Sequence, residues 1–364
     1  MDVRDAVAFS LLADLGVGLG RRRLAAIVRG ASHRQPPPPD LLSRVLIRLD
    51  PTTAARRTAE LRDAASRALD AANRAGQAPI AWGTAGYPAR LATLVDPPIV
   101  LWVEGDGSAL AIPAVALVGS RAASPYALEV AGRLAADLAA RGVAVVSGLA
   151  RGVDSAAHRG ALRTGCTVAV LGSGLDIVYP PEHRPLAQAI AGQGALVSEL
   201  PPGTPPLPHH FPLRNRLISG LSLAVVVIEA SERSGSLITA ACALDQGREV
   251  MAVPGNVLSG RNRGAHALLR DGAKMVETAD DILEELPSVG RTTESMAALA
   301  PDDGGPQGGV PGILAGFPAG EPFDLDDLAA RTGLAGGPLL ARLAELELAG
   351  RVRRVGGGRF VRSE

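Results

Sequence analysis

The stretch VAVVSGLARGVDSAAHRGALRTGCTVAVLGSG, residues 143–174, indicates how the central part of the chain folds. A short apolar run, VAVVS, is followed by a glycine-containing loop, a helix-length segment over 154–164 and a second apolar run, TVAVL, at 167–171. Both runs are apolar throughout rather than alternating, which is typical of strands that are covered on both faces. The stretch therefore predicts a strand–helix–strand unit with two parallel strands.

The same alternation extends from about residue 112 to residue 286. Four further apolar runs occur at 114–118, 195–198, 223–230 and 249–254. Further helix-length segments are predicted at 125–141 and 236–246, and Ser124 before Pro125 suits a helix N-cap followed by the first helical residue. We therefore expect an α/β fold, a doubly wound parallel Rossmann-like sheet with helices on both faces.

The flanking segments differ in composition, and they predict a four-part organisation. Residues 1–80 are expected to form a helical domain of the helix-hairpin-helix or SAM-like type, although its Gly16–Gly20 turn also suits an ordinary helical turn. The Rossmann-like core is expected over 81–287, and the Gly/Pro/Asp-rich segment 288–312 is expected to be a linker. Residues 313–364 suit two helices and a basic hairpin, a winged-helix pattern.

Charge and cysteine content limit the classes of function. The chain has 37 basic and 37 acidic residues, so a strongly basic nucleic-acid binder is excluded and any anion site must be local. Lys274 is the only lysine, and the other cations are arginines that can hold a phosphate with two hydrogen bonds. Cys166 and Cys242 suit neither a disulfide framework nor a zinc site. Without a recognisable signal peptide or membrane span, we expect a soluble cytoplasmic protein.

Loops at the ends of the predicted strands carry the candidate binding residues. After the run 114–118, Gly119 allows a close turn, Ser120 offers a hydroxyl and Arg121 a guanidinium, and a helix begins directly afterwards. Because parallel strands end at one edge of a sheet, the corresponding loops should lie side by side and suit a polyanion. Those other loops add Gly148, Arg151, Arg233, Ser234, Gly235, Ser236, Arg261 and Arg263.

The segment HHFPLRNRLISGLS, residues 209–222, places an aromatic ring beside two guanidinium groups. A nucleobase can stack on Phe211, but the ring also suits a hydrophobic contact beneath a helix. Arg214 and Arg216 are two residues apart and would point in different directions on a helix. One of them can therefore contact a nucleic-acid strand while the other stabilises the edge of the binding site. An ion pair with Asp or Glu is the structural alternative for Arg216.

The strand-end loops lack the residues that a catalytic centre requires. They show no paired carboxylates, no two-metal cluster, no Cys/His pair suited to nucleophilic attack and no Walker motif. We interpret Asp154 as a helix N-cap and His158 as a structural histidine. No enzymatic activity, metal or cofactor is therefore predicted. The alternative is a nucleotide-processing enzyme of the phosphoribohydrolase type, whose Pro-Gly-Gly-x-Gly-Thr loop is replaced here by RSGSLITA.

Ordered motifs resemble the DNA-processing protein A family (DprA, also called Smf). They are ALVGSR, SGLARGVDSAAHRGAL, FPLRNRLISGLS, GSLITAACALDQGREVMAVPGN and GAHALLRDGA, with GYPARLATLVDPPIVLWVEGD upstream. The resemblance implies binding of single-stranded DNA, a homodimer, and loading of RecA recombinase during natural transformation, with no established catalysis. It places Gly119, Ser120 and Arg121 on a phosphate. It also implies that the second wall of the DNA-binding pocket consists of Phe211, Arg214, Asn215 and Arg216. The family often has a basic residue in the loop just before this phenylalanine, whereas this chain has PPLPHH at 205–210. Positive charge in this loop would then have to come from His209 or His210.

Overall fold

The structure is a computed structural model that describes residues 2–14, 21–31, 40–286, 322–323, 343, 352–355 and 359–362. By contacts the chain divides into two compact units, Met1–Ala298 and Leu299–Glu364. The predicted glycine turn at 16–20, the linker 288–312 and most of the predicted winged-helix segment lie outside the described residues. The first unit contains every strand-end loop that the sequence singles out.

A nine-stranded sheet forms the centre of the first unit. Its strands are β1 Gln77–Ala81, β2 Val100–Gly105, β3 Ala114–Val118, β4 Ala144–Ser147, β5 Thr167–Val170, β6 Ala195–Ser198, β7 Ala224–Val227, β8 Glu249–Ala252 and β9 Lys274–Met275. The spatial order is β1-β2-β6-β5-β4-β3-β7-β8-β9. The strands from β6 to β9 are parallel, as predicted, whereas β2 pairs antiparallel with both β1 and β6. The edge hairpin β1–β2 extends the predicted sheet.

Helices cover both faces of this sheet. The described helices are α1 Val3–Ser10, α2 Arg21–Ala31, α3 Leu41–Leu49, α4 Ala54–Arg74, α5 Ala89–Ala92, α6 Pro125–Ala140, α7 Val153–Ala161, α8 Arg184–Gln193, α9 His210–Leu221, α10 Ser236–Asp245, α11 Arg263–Arg270 and α12 Ala279–Glu284. The Oγ atom of Ser124 accepts from the N–H of Ala127 at 3.2 Å, so the predicted N-cap of α6 is confirmed. None of the described helices is long and apolar enough to cross a membrane.

Three hydrophobic clusters join the layers. On one face, Leu217 and Ile218 of α9 pack with Val225 of β7, and on the other face α6 and α7 pack against β3 and β4. The third cluster combines apolar residues of the N-terminal helices with Ala169 and Leu171 at β5. The N-terminal helices thus share a continuous core with the sheet. Residues 77–80, the end of the predicted helical domain 1–80, are not helical. They belong to β1, which pairs with β2.

The order of the strands determines where a ligand can enter. From β3 the chain winds through β4, β5 and β6 in one direction and continues through β7, β8 and β9 in the other. In an open α/β sheet, the crevice at such a reversal lies beyond the carboxyl ends of the strands and is the usual binding position. The loops after β3 and β7 border this crevice, so the segment VGSRAASP begins at the switch point.

The described part of the second unit is a three-stranded sheet. Its strands are β10 Pro322–Phe323, β11 Val352–Val355 and β12 Arg359–Arg362, in the order β10-β12-β11. Strands β11 and β12 pair antiparallel, as predicted for the basic hairpin. Phe360 and Leu343 are buried.

Candidate functional site

A pocket of about 380 Å³ lies at the switch point, and we call it the Phe211 pocket. The loops after β3, β4 and β5 and the helices α9 and α10 contribute to its wall. Seven of the predicted binding residues line it, namely Gly119, Arg121, Phe211, Arg214, Asn215, Gly235 and Ser236. The structure therefore brings together residues that are separated by more than a hundred positions in the sequence.

The loop after β3 is packed backbone to backbone against the loop after β4. A Cβ atom at Gly119 would lie 2.6 Å from Cγ2 of Val153, and one at Gly152 would lie 2.2 Å from the carbonyl oxygen of Ser120. The N–H of Ser120 donates to the carbonyl of Glu229 at 2.7 Å, and its Oγ accepts from the N–H of Ala122 at 3.2 Å. Ser120 thus holds the loop in shape, and the next side chain, Arg121, is exposed.

Arg121 lies over the ring of Phe211 at the mouth of the pocket. Its Cζ atom is 5.5 Å from the ring centroid, which is within range of a cation–π contact. The ring of Tyr179 also packs against Phe211, with 5.6 Å between the ring centroids and an interplanar angle of 50°. Phe211 is half-buried, and a Cβ atom at Gly172 would lie 3.1 Å from its Cδ1. The ring therefore packs on the loop after β5 and also borders the pocket.

Arg214 forms the floor of the Phe211 pocket and is only 6% exposed. Its Nη1 donates to the carbonyl of Val170 at 2.7 Å, and it lies so close to Gly148 that a Cβ atom there would be 1.8 Å away. Burial lowers the pKa of Arg214 to about 10, against the attraction of Asp154 and with the repulsion of Arg121. The guanidinium remains charged at neutral pH and adds a fixed positive charge beneath the pocket.

Asp154 is the carboxylate on the pocket wall, and its role differs from the predicted one. Helix α7 begins at Val153 with Gly152 at the N-cap, so the prediction that Asp154 is the N-cap is wrong. Because Gly152 has a φ of +76°, the chain turns there and Asp154 reaches back into the loop. Its Oδ2 accepts from the N–H groups of Gly148 at 3.1 Å and Ala150 at 3.3 Å. Burial raises the pKa of Asp154, while the charge of Arg214 opposes the shift.

His158 is a structural residue, as predicted. It is fully buried, and its Nδ1 lies 2.8 Å from Oγ1 of Thr167. The hydroxyl of Thr167 donates its proton to the carbonyl of Val145, so Nδ1 of His158 carries the hydrogen. Burial lowers the pKa of His158 to about 3, which keeps the ring neutral.

Arg216 points away from the Phe211 pocket. It is 7% exposed, its Nη2 contacts Oε2 of Glu199 at 2.6 Å, and its Nε lies 3.5 Å from Oδ2 of Asp96. Arg216 therefore forms the structural ion pair that was the predicted alternative to a DNA contact. Asn215 lies between the two arginines, and its Nδ2 donates to the carbonyl of Gly235 at 3.4 Å, which ties α9 to the start of α10.

The remaining predicted residues do not line the Phe211 pocket. Arg151 is exposed and forms an ion pair with Glu182, and Ser234 and Ser236 are linked through their Oγ atoms at 2.7 Å. The Nη1 of Arg261 donates to the carbonyl of Ala122 at 2.8 Å, on the loop that carries Arg121. Arg233 is exposed in the loop before α10, and Arg263 is exposed at the start of α11.

Several side chains on the wall of the Phe211 pocket were not predicted from the sequence, and Tyr179 and Ile238 are the two that are most informative. Tyr179 and Ile238 line it and are 41% and 42% exposed, so both offer apolar surface to a ligand. Tyr179 follows strand β5 in the segment LGSGLDIVYPPEH, and the chain has only three tyrosines. A search for aromatic residues in all strand-end loops would have found it, whereas nothing local to the sequence marks Ile238.

Comparison with known families agrees with this geometry. The family model described as DNA recombination-mediator protein A matches residues 79–287, which is more than half of the chain. The chain belongs to this family. A second model, described as the DprA winged helix domain, matches residues 297–358, so the predicted resemblance and the C-terminal winged-helix fold are both confirmed.

Individual relatives cover most of the chain. Protein Smf of Escherichia coli is 44% identical over 282 residues, which is 75% of this chain and 74% of that protein. The X-ray structure of DprA from Streptococcus pneumoniae has a TM-score of 0.69 at 33% identity and covers 78% of this chain and 99% of that chain. A structure of DNA processing protein A from Helicobacter pylori, described for its unique single-stranded DNA binding mode, has a TM-score of 0.53 at 30% identity and covers 58% of this chain and 96% of that chain.

Proposed function

We propose that the protein binds single-stranded DNA in the Phe211 pocket, without cleaving it, and loads RecA recombinase onto the bound strand. The observation that carries this proposal is the exposed guanidinium of Arg121, which lies 5.5 Å from the ring centroid of Phe211. The solved relative from Helicobacter pylori, described as a single-stranded DNA binder, supports the assignment.

The chemistry of the pocket suits a strand whose bases are unpaired. A phosphate would contact Arg121 above the buried charge of Arg214, and a base would stack on Phe211, a contact that tolerates any base. Because the net charge of the chain is zero, the affinity has to come from this local cluster rather than from the whole surface. Ser120, Asn215, Gly235 and Ser236 would complete the inner contacts. The outer rim would consist of Arg151, Arg233, Arg261 and Arg263.

The environment of Asp154 favours binding over cleavage. This carboxylate is held at the pocket wall by the N–H groups of Gly148 and Ala150 and by the neighbouring charge of Arg214. The described residues contain no group of three or more His, Cys, Asp or Glu side chains arranged to hold a metal ion. The fixed position of Asp154 therefore supports a role of this carboxylate in shaping the binding pocket.

The family also suggests how the protein works in the cell. We propose a homodimer in the cytoplasm that delivers single strands to RecA during recombination or DNA uptake. The predicted division into 1–80, 81–287, 288–312 and 313–364 belongs to the same proposal, except that the core begins at residue 77, where β1 starts. The core 77–287 would be sufficient to bind the strand. Filament formation by RecA on strands coated with single-strand-binding protein, with and without this protein, tests the loading step; no acceleration would contradict it.

Binding of a fluorescent oligo-dT to the full-length protein over a series of salt concentrations tests the site. Arg121→Ala should weaken binding and make the log–log salt slope shallower by about 0.7, because one phosphate contact is lost. Phe211→Ala should weaken binding by ~1–3 kcal/mol with little change in slope, because stacking releases no counterions.

Arg133→Ala is the matched control for charge, since Arg133 is exposed on α6. It should leave both affinity and slope unchanged. If Phe211→Ala lowers the melting temperature by several degrees but binds oligo-dT like the wild type, Phe211 is only a packing residue and the assignment of the pocket is wrong.

A further inference from the structure

A second cavity, of about 610 Å³, lies at the same edge of the sheet, and we call it the Glu229 cavity. It is built from the start of α6 and from the loops after β7 and β8, and it shares no lining residue with the Phe211 pocket. Its volume is in the range of small-molecule sites. The loop 119–125 separates the two, because Gly119 and Arg121 line the Phe211 pocket whereas Ser124 and Pro125 line the Glu229 cavity.

A buried carboxylate borders this cavity. Glu229 is 5% exposed, and its oxygens accept from the N–H of Ser124 at 3.2 Å and from the Oγ–H of Ser124 at 2.6 Å. Within the described part of the chain, no arginine, lysine or histidine forms an ion pair with Glu229. Buried carboxylates usually have a cationic or multiply hydrogen-bonded environment. Each oxygen of Glu229 keeps a lone pair with which it can accept from a ligand.

The rim of the Glu229 cavity offers an aromatic face and a cation. Tyr126 is 53% exposed, and its hydroxyl donates to the carbonyl of Pro254 at 3.1 Å, which holds the ring beside the opening. Arg261 is exposed, and its bond to the carbonyl of Ala122 positions the guanidinium while leaving other N–H groups available. The wall behind them is rigid, because buried Asn262 uses its side chain to bind the N–H of Ala230 and the carbonyl of Val253.

We propose that the Glu229 cavity binds one guanine nucleotide. Guanine has adjacent N–H donors on its Watson–Crick edge, and these match the two acceptor oxygens of Glu229, whereas adenine and cytosine offer a single amino group there and thymine a single ring N–H. The base would stack on the ring of Tyr126, and its phosphate would contact Arg261.

The nucleotide has two possible sources with the same chemistry. It is either a free mononucleotide or one guanine of a bound strand that crosses the loop 119–125 from the Phe211 pocket. The second source rests on the proposed function, whereas the first is independent of it.

Calorimetric titration of the full-length wild-type protein with dGMP, dAMP, dCMP and dTMP tests the proposal without any substitution. The affinity for dGMP should exceed that for each other nucleotide by about 5- to 150-fold, the range expected of a two-bond contact to a base. A second titration uses oligo-dT that contains a single dG, which should raise the affinity of the oligonucleotide by a similar factor if the nucleotide belongs to a bound strand. The proposal is overturned if neither the mononucleotides nor the oligonucleotides show a preference for guanine. A preference in both series assigns the site to the strand, and a preference for the mononucleotide alone assigns it to a free ligand.

Two variants test the contacts. Glu229→Gln presents a donor to the donors of guanine and should abolish the preference for dGMP, while Glu232→Gln, an exposed change of the same charge in the same loop, should retain it. Arg261→Ala should remove the advantage of dGMP over deoxyguanosine, and Arg270→Ala at the other end of α11 should not. Retention of the preference in a folded Glu229→Gln protein refutes the role of Glu229. For the wild-type protein, absence of any guanine preference together with normal oligo-dT binding contradicts this inference alone. Guanine binding without oligo-dT binding contradicts only the proposed function.

Discussion

Replacement of Gly148 by alanine should displace Arg214 from the floor of the Phe211 pocket. Gly148 is buried, and a Cβ atom there would lie 1.8 Å from Nη1, 2.5 Å from Cζ and 2.6 Å from Nη2 of Arg214. All three atoms belong to the guanidinium, so the side chain of Arg214 has to move while the backbone can stay in place. Its hydrogen bond to the carbonyl of Val170, 2.7 Å long, is then lost.

The size of the effect follows from this contact. A hydrogen bond to a charged group contributes about 1.5–3 kcal/mol, and a glycine-to-alanine change returns about 0.4–1 kcal/mol by restricting the unfolded chain. Gly148→Ala should therefore lower the free energy of unfolding by roughly 1–2 kcal/mol. It should also weaken oligo-dT binding, because the positive charge beneath the pocket is no longer held in place.

Urea denaturation and oligo-dT binding of Gly148→Ala, Arg214→Met and the double variant measure the coupling. If displacement of Arg214 causes the loss, Gly148→Ala should cost little in the Arg214→Met background, and the coupling energy should be of the same size as the single effect. Gly192→Ala is the control, because a Cβ atom there has no neighbour within 4 Å. An equal loss of stability in both backgrounds would refute the reasoning.

Three further predictions concern stability and the second unit. Arg216→Met should lower the free energy of unfolding by about 3 kcal/mol, because it removes the buried guanidinium from its ion pair with the half-buried Glu199. It should leave the salt slope of oligo-dT binding unchanged; an altered slope would place Arg216 on the strand. The pKa of His158 in the fold is about 3, below the unfolded value of about 6.5, so the stability contribution of the neutral ring is fully present above pH 6.5. Because the unfolded chain takes up the proton first, this contribution falls by about 1.4 kcal/mol per pH unit as the pH decreases from 6.5 towards 3. Denaturation of His158→Asn over this range should show a flatter pH dependence than the wild type. Deletion of 305–364 should leave oligo-dT affinity intact, and its loss would contradict the placement of the site in the first unit.

Local patterns were sufficient to predict the architecture of the core. The runs at 114–118 and 167–171 are apolar throughout, and this composition is set by burial on both faces of a strand, so they appear in the structure as β3 and β5. The hairpin β1–β2 was missed because its segment QAPIA lies directly after a long helix and shows no clear strand pattern. The strand character of QAPIA depends on its pairing with β2, which lies about 20 residues further along the chain.

The sequence also placed the candidate loops at one edge of the sheet, because parallel strands end at one edge and the residues after them must lie there. Gly119 and Arg121 were found by this rule. Phe211 was singled out instead by its position beside two arginines, and the family resemblance placed it at the site. The different roles of Arg214, which lies beneath the pocket, and Arg216, which is buried against Glu199, are visible only in the folded protein. Two arginines in one helix carry the same chemistry. Their roles are set by which carboxylates and carbonyls other parts of the chain bring within a few ångströms, and that depends on packing rather than on local sequence.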